Sequence, residues 1–155
     1  MSKKNSYNIV KLVNLKLVKE EAFRNYSSIS SDNDVMKLMH NYMANQYREI
    51  AYVIGLDNRN RPTVIHCLGV GSISSCNLPV SSVIKPLLLS NCSGAILVHN
   101  HPSDYSDYMV ASNADITITQ KVKEALKLFE MELIDHIIFN SDATQTLSMR
   151  STINW

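Results

Sequence analysis

The chain has 155 residues, 45% hydrophobic and 19% charged, which excludes a disordered polymer and predicts one globular domain over residues 1–155. Lys and Arg number 15 against 14 Asp and Glu, so the formal net charge is +1, and the basic excess of a dedicated nucleic-acid binder is missing. No run approaches the roughly 18–20 apolar residues of a membrane span. The basic start MSKKNSYNIVKLV has neither a sustained apolar run nor a small-residue cleavage site, so the expectation is a soluble cytoplasmic protein without a signal peptide. Cys67, Cys76 and Cys92 cannot all pair and form no CxxC, which reads as reduced thiols in the same compartment.

Taken in chain order, residues 8–20 (NIVKLVNLKLVKE) alternate well enough from Val13 to Leu17 to predict a strand. Ser31, with Asp34 three residues on, imitates a capping box ahead of Val35, Leu38, Met39 and Tyr42 at helical spacing. Residues 1–45 thus supply a strand and a helix that complete the core carried by 46–155. The runs EIAYVIGL (49–56) and PTVIHCLGV (62–70) flank the turn signal Asp57-Asn58-Arg59-Asn60 and predict a β-hairpin over 49–70. Pro79–Leu89 reads as a helix with Val83, Ile84, Leu87 and Leu88 on one side, kinked or shortened by Pro86. Gly94–Val98 is wholly apolar, as in a strand buried on both faces. A long helix is expected from Ser112 to about Glu130, its buried stripe marked by Ile118, Val122, Ala125, Leu126 and Phe129. Leu133–Phe139 and Thr146–Met149 return to strand character. An antiparallel hairpin among interleaved strands and helices gives an α/β fold, a mixed β-sheet flanked by helices.

Two short stretches carry the chemistry: Val98-His99-Asn100-His101-Pro102 and Ser112-Asn113-Ala114-Asp115. His99 and His101 leave the end of a buried strand, and side chains two apart on extended chain point the same way. Pro102 biases His101 toward extended geometry. Asp115 falls in the first turn of the long helix, where exposed N–H groups favour a carboxylate. Two imidazoles and a carboxylate, with one position left to water, is the ligand count of a catalytic zinc site. Other readings stand beside it. A histidine at a strand end is commonly a satisfied polar residue, and SxxD is equally a helix-capping signature. The two readings of SxxD are compatible, because a helix start can position Asp115 while Ser112 caps the helix or turns toward substrate.

HNHP followed by SxxD resembles the JAMM signature of the MPN-plus metalloproteases: HxHP, a short variable loop, then SxxD. HNHPS, the helix after it and LIDHIIF are similar to the bacterial RadC-like branch, often labelled a DNA-repair protein. The resemblance covers roughly residues 45–155. It implies a JAB/MPN-like, cytidine-deaminase-like single domain, with His99, His101 and Asp115 as zinc ligands and Ser112 as the motif's serine. The family's upstream glutamate, which activates the attacking water from the start of a strand, falls on Glu49. The implied reaction is hydrolysis of a peptide or isopeptide bond in a protein or peptide substrate. Ser112 would hydrogen-bond the oxyanion of the tetrahedral intermediate, a term worth about 3–4 kcal/mol. The alternative is a non-catalytic or DNA-repair-associated accessory module of the RadC type, against which the near-neutral charge counts.

SDYSDYMVA (103–111) departs from the Gly- and Pro-containing loop of RadC-like sequences, so substrate preference is the property it touches. Asp104 and Asp107 read as solvated loop residues, with an extra ligand as the lesser alternative. His136 matches a family feature and is expected to be structural or to orient a ligand. His40, on a helix surface, and His66, in a strand, receive no role. A zinc deaminase would need HxE and a downstream PCxxC, which this sequence lacks, and the likeness to HNH nucleases is only in the letters.

Overall fold

The computed structural model describes residues 27–71, 78–104 and 108–155. The strand expected at 8–20, Cys76 and Asp107 lie outside them. The elements run α1 (Asp32–Met43), β1 (Ile50–Leu56), β2 (Pro62–Val70), α2 (Val80–Leu89), β3 (Gly94–Asn100), α3 (Asn113–Lys127), β4 (Glu132–Phe139), β5 (Thr146–Ser148) and α4 (Met149–Thr152).

The five strands form one mixed sheet in the order β2-β1-β3-β4-β5. β1 pairs antiparallel with β2 and β3, β3 runs parallel to β4, and β5 returns antiparallel to β4. The hairpin turn forms as its residues predict. The Asp57 carboxylate accepts from the Arg59 and Arg61 amides and from Arg61 Nε, while Asn60 takes the left-handed conformation that asparagine tolerates.

Strand alternation sorts the core to the two faces. Ile54, Leu56, Ile96, Val98, Ile137 and Phe139 meet Val35, Leu38, Met39 and Met43 of α1. Val53, Ala95, Leu97 and Leu133 meet Val83 and Leu87 of α2 and Val122 and Leu126 of α3. Central β3 is buried along its whole length, as its unbroken apolar run requires. Gly55 lets α2 approach the sheet: a Cβ there would collide with Cys92 Sγ, with Val64 at 2.7 Å and with Leu87 at 2.8 Å.

Several details differ from expectation. The capping box at Ser31–Asp34 is present, but α1 buries Met43, leaving Tyr42 half-buried edge-on to Tyr52. Pro86 lies inside α2 without ending it, and the helix continues to Leu89. α3 stops at Lys127 because the next residues close it: Met131 N–H reaches the Leu126 carbonyl, Glu130 N–H reaches that of Lys127, and Glu130 is left-handed. Phe129 therefore falls beyond the helix and is exposed, not on its buried stripe. β5 ends at Ser148, and Met149 begins α4. Cys67 and Cys92 are free thiols, and Trp155 packs back on the domain beneath Lys123. No helix among the described residues is long and apolar enough to cross a membrane.

Candidate metal centre

β3 and β4, the parallel pair, end side by side, and α3 begins next to them. His99 is paired in register with Ile138 of β4 and Ala51 of β1. It shares the face of Ala95 and Leu97, which is the face α3 covers. His101 lies just past β3, held where its N–H donates to the Phe139 carbonyl at 2.8 Å. The chain is stitched down again where Asp104 N–H meets the His101 carbonyl and Ser141 N–H meets that of Asp104.

Asp115 enters from the first turn of α3, where both readings of SxxD hold in one geometry. Ser112 Oγ donates to Asp115 Oδ2 at 2.7 Å and Ser112 N–H to the same oxygen at 2.8 Å, while Asp115 N–H reaches back to Ser112 Oγ at 3.2 Å. The capping box fixes the carboxylate and leaves Oδ1 facing His99.

His99 Nε2 is 3.0 Å from His101 Nε2 and 3.2 Å from Asp115 Oδ1, and His101 Nε2 is 3.6 Å from Asp115 Oδ2. Ligands about 2.0–2.1 Å from a tetrahedral zinc lie roughly 3.3 Å apart, so these three edges suit such an ion. The donor set fits as well, with two imidazoles and one carboxylate gathered within 4.8 Å and largely withdrawn from water. Burial lowers the His99 pKa, against the pull of Asp115. The hydrogen bond to Asp115 raises that of His101, against burial. Burial also works to raise the Asp115 pKa, but His101, His99 and Ser112 outweigh it and hold the carboxyl well below the usual carboxylate range. The result is a negatively charged pocket that a proton on His101 partly neutralises and a cation would suit better.

The cluster opens into a cavity of about 370 Å³ lined by Glu49, His101, Ser103, Asp104, Ser112 and Asp115. Glu49 directly precedes β1, and its carbonyl accepts from Gly71 N–H at 2.7 Å. The structure therefore brings all five expected site residues together. Asp104 lines the cavity but is not in the three-ligand cluster. His40 and His66 are exposed on α1 and β2, away from it.

A family model described as the RadC-like JAB domain matches residues 29–154. The chain belongs to the RadC-like JAB domain family. This RadC-like domain is similar to the UPF0758 protein of Cellvibrio japonicus, 32% identical over 149 residues that cover 92% of this chain and 65% of that protein. It is also similar to the UPF0758 protein of Nitrosococcus oceani, 35% identical over 105 residues covering 68% of this chain and 46% of that protein. The chain thus spans about half to two thirds of the length of these curated relatives.

Two buried polar residues near the RadC-like site were not singled out from the sequence. Asn100, between the histidines, bonds to the backbone on either side of Glu49, and Thr119 lies on α3 one turn beyond Asp115. Continuing the i, i+4 spacing from Asp115 would have found Thr119. Asn100 needed the pairing of β1 with β3.

Proposed function

We propose that this RadC-like domain is a zinc-dependent peptidase or isopeptidase acting on a protein or peptide in the reducing cytoplasm, where Cys67 and Cys92 remain thiols. One observation carries the reading: His99, His101 and Asp115 gather at spacings that suit a tetrahedral ion, and His101 and Asp115 line a cavity together with Glu49 and Ser112. Zinc held by these three ligands would polarise a carbonyl and acidify a water. Glu49 is the general base: it takes one proton from the attacking water as the new C–O bond forms. It returns that proton to the departing amine as the C–N bond breaks, leaving a carboxylic acid and a free amine. Ser112 donates its hydroxyl hydrogen to Asp115 at rest, and serving the oxyanion requires that hydrogen to turn toward the substrate. A cavity of about 370 Å³ falls at the small end of the range of ligand pockets. The net charge of +1 favours a protein substrate over DNA.

The test is metal analysis of the purified chain after zinc loading, together with cleavage of a diverse peptide and isopeptide pool read by mass spectrometry. The expected result is about one zinc per chain, lost in His101→Ala, with cleavage abolished by Glu49→Gln while zinc is retained. A chain that takes up no zinc at micromolar concentration overturns the proposal, as does cleavage that survives Glu49→Gln.

A further inference from the structure

Behind the three-ligand cluster, on the side away from the cavity, two polar side chains occupy positions that apolar residues would normally fill. Thr119 is 0% exposed and His136 1% exposed. They form a single line with His99. Thr119 Oγ1 lies 2.5 Å from the Asp115 carbonyl oxygen and 2.6 Å from His136 Nδ1, and His136 Nε2 lies 2.8 Å from His99 Nδ1.

Counting hydrogens along this line fixes its direction. A carbonyl cannot donate, so the single Thr119 hydroxyl hydrogen goes to Asp115 O, the backbone carbonyl one turn back on α3. His136 Nδ1 must then supply the hydrogen to Thr119 Oγ1. Both ring nitrogens of His136 are engaged, Nδ1 with Thr119 and Nε2 with His99, and an imidazole that carries one N–H and donates through Nδ1 accepts through Nε2. The hydrogen between the rings therefore sits on His99 Nδ1. His99 Nε2 is left with a bare lone pair, directed at His101 and Asp115.

That outcome runs against local electrostatics. Asp115 Oδ1, 3.2 Å from His99 Nε2, would by itself favour a hydrogen on Nε2, the tautomer that cannot bind a metal through that nitrogen. We infer that Thr119 and His136 are positioning residues that impose the Nδ1–H tautomer on His99 and so hold its Nε2 ready to ligate zinc. The inference rests on the metal reading of the site and adds to it a determinant of affinity outside the ligand set. The reference point is the Asp115 carbonyl in the first turn of α3, so one residue supplies a ligand oxygen through its side chain and orients a second ligand through its backbone.

The experiment measures zinc affinity of the full chain by competition with a chromophoric chelator, for wild type, Thr119→Val, Thr119→Ser and His136→Phe. The tautomer of His99 is read in the metal-free protein by two-bond ¹⁵N–¹H correlation. Thr119→Val keeps the volume and removes the hydroxyl, so it is expected to weaken zinc binding about 10–100-fold, as is His136→Phe. It should also move His99 toward the Nε2–H form. Thr119→Ser restores the hydroxyl and is expected to restore both readouts, which a purely packing role for Thr119 would not produce. Wild-type zinc affinity in a folded Thr119→Val overturns the inference, and so does an Nε2–H tautomer for His99 in the metal-free wild type. A wild type that binds no zinc sinks the peptidase proposal instead, and the tautomer comparison between wild type and Thr119→Val then decides the relay on its own.

Discussion

Asn100 grips the backbone on both sides of Glu49. Its Oδ1 accepts the Ile50 N–H at 2.7 Å and its Nδ2 donates to the Arg48 carbonyl at 3.2 Å. Asn100 stands between the two motif histidines in sequence, and its fully buried side chain serves the neighbouring strand. One short segment thus carries two of the three candidate metal ligands and sets where the proposed base stands.

Asn100→Ala removes both bonds and leaves Ile50 N–H and Arg48 O to find other partners. A base displaced by as little as ~1 Å can lose about 100-fold in rate. The expected outcome is a fall in hydrolysis of between ten- and a hundredfold with zinc stoichiometry unchanged, read by parallel metal analysis and peptide cleavage. Loss of zinc together with activity would show that Asn100 acts on the histidines and not on Glu49.

Ser112→Ala separates two duties of one hydroxyl. Losing the cap of α3 is expected to destabilise the fold by about 1 kcal/mol, read as a shift in the urea midpoint. If the hydroxyl also serves the oxyanion, the rate constant falls by about 100–1,000-fold, far more than that loss of stability explains. A midpoint shift with an unaltered rate would assign Ser112 to the cap alone.

Acid sensitivity of the metal-free chain follows from its buried imidazoles. His99 and His136 both have pKa values lowered by burial, from an ordinary 6.5. Below about pH 6.5 each takes up a proton on unfolding, so both contributions to stability are lost as pH falls. His101, raised by its bond to Asp115, works in the opposite sense: its contribution is complete below pH 6.5 and disappears as pH rises through its folded value. His136 is held well below its ordinary value and dominates the balance, so the urea midpoint is expected to drop between pH 7 and pH 5. His136→Phe should flatten that slope. A midpoint constant over this range would contradict the neutral state assigned to the two rings.

Gly55 gives a test of the fold away from the site. Gly55→Ala places a methyl group against Val64 and Leu87 beneath α2, and overpacking of this kind typically costs about 1–3 kcal/mol. Chemical denaturation should show that loss with zinc binding intact, because Gly55 pairs with Ala95 near the start of β3 while the ligands lie at its far end.

The sequence displayed most of this site because its ligands belong to short local patterns. HxH at a strand end and SxxD at a helix start each determine side-chain direction within one turn or one pleat, and the structure follows both. The groups behind them were less legible. Thr119 reads locally as an ordinary polar helix position, and its burial depends on α3 lying over His136, a relation between elements far apart in sequence. Asn100 lies on the opposite side of β3 from His99 by alternation, and its purpose emerges only once β1 is known to run beside it. Phe129 misled because the helical period was extended past Lys127, where left-handed Glu130 closes the chain.

The connection between His101 and Ser112 begins and ends at fixed points: the Phe139 carbonyl holds His101 at one end, and the capping box holds Ser112 and Asp115 at the other. Just past the first of these, Asp104 borders the cavity and donates its N–H to the His101 carbonyl, and near the second Val110 is strongly exposed. Substitution at exposed Val110 therefore leaves the bonds that place His101, Ser112 and Asp115 as they are, so the surface can vary at that position while the proposed site keeps its shape.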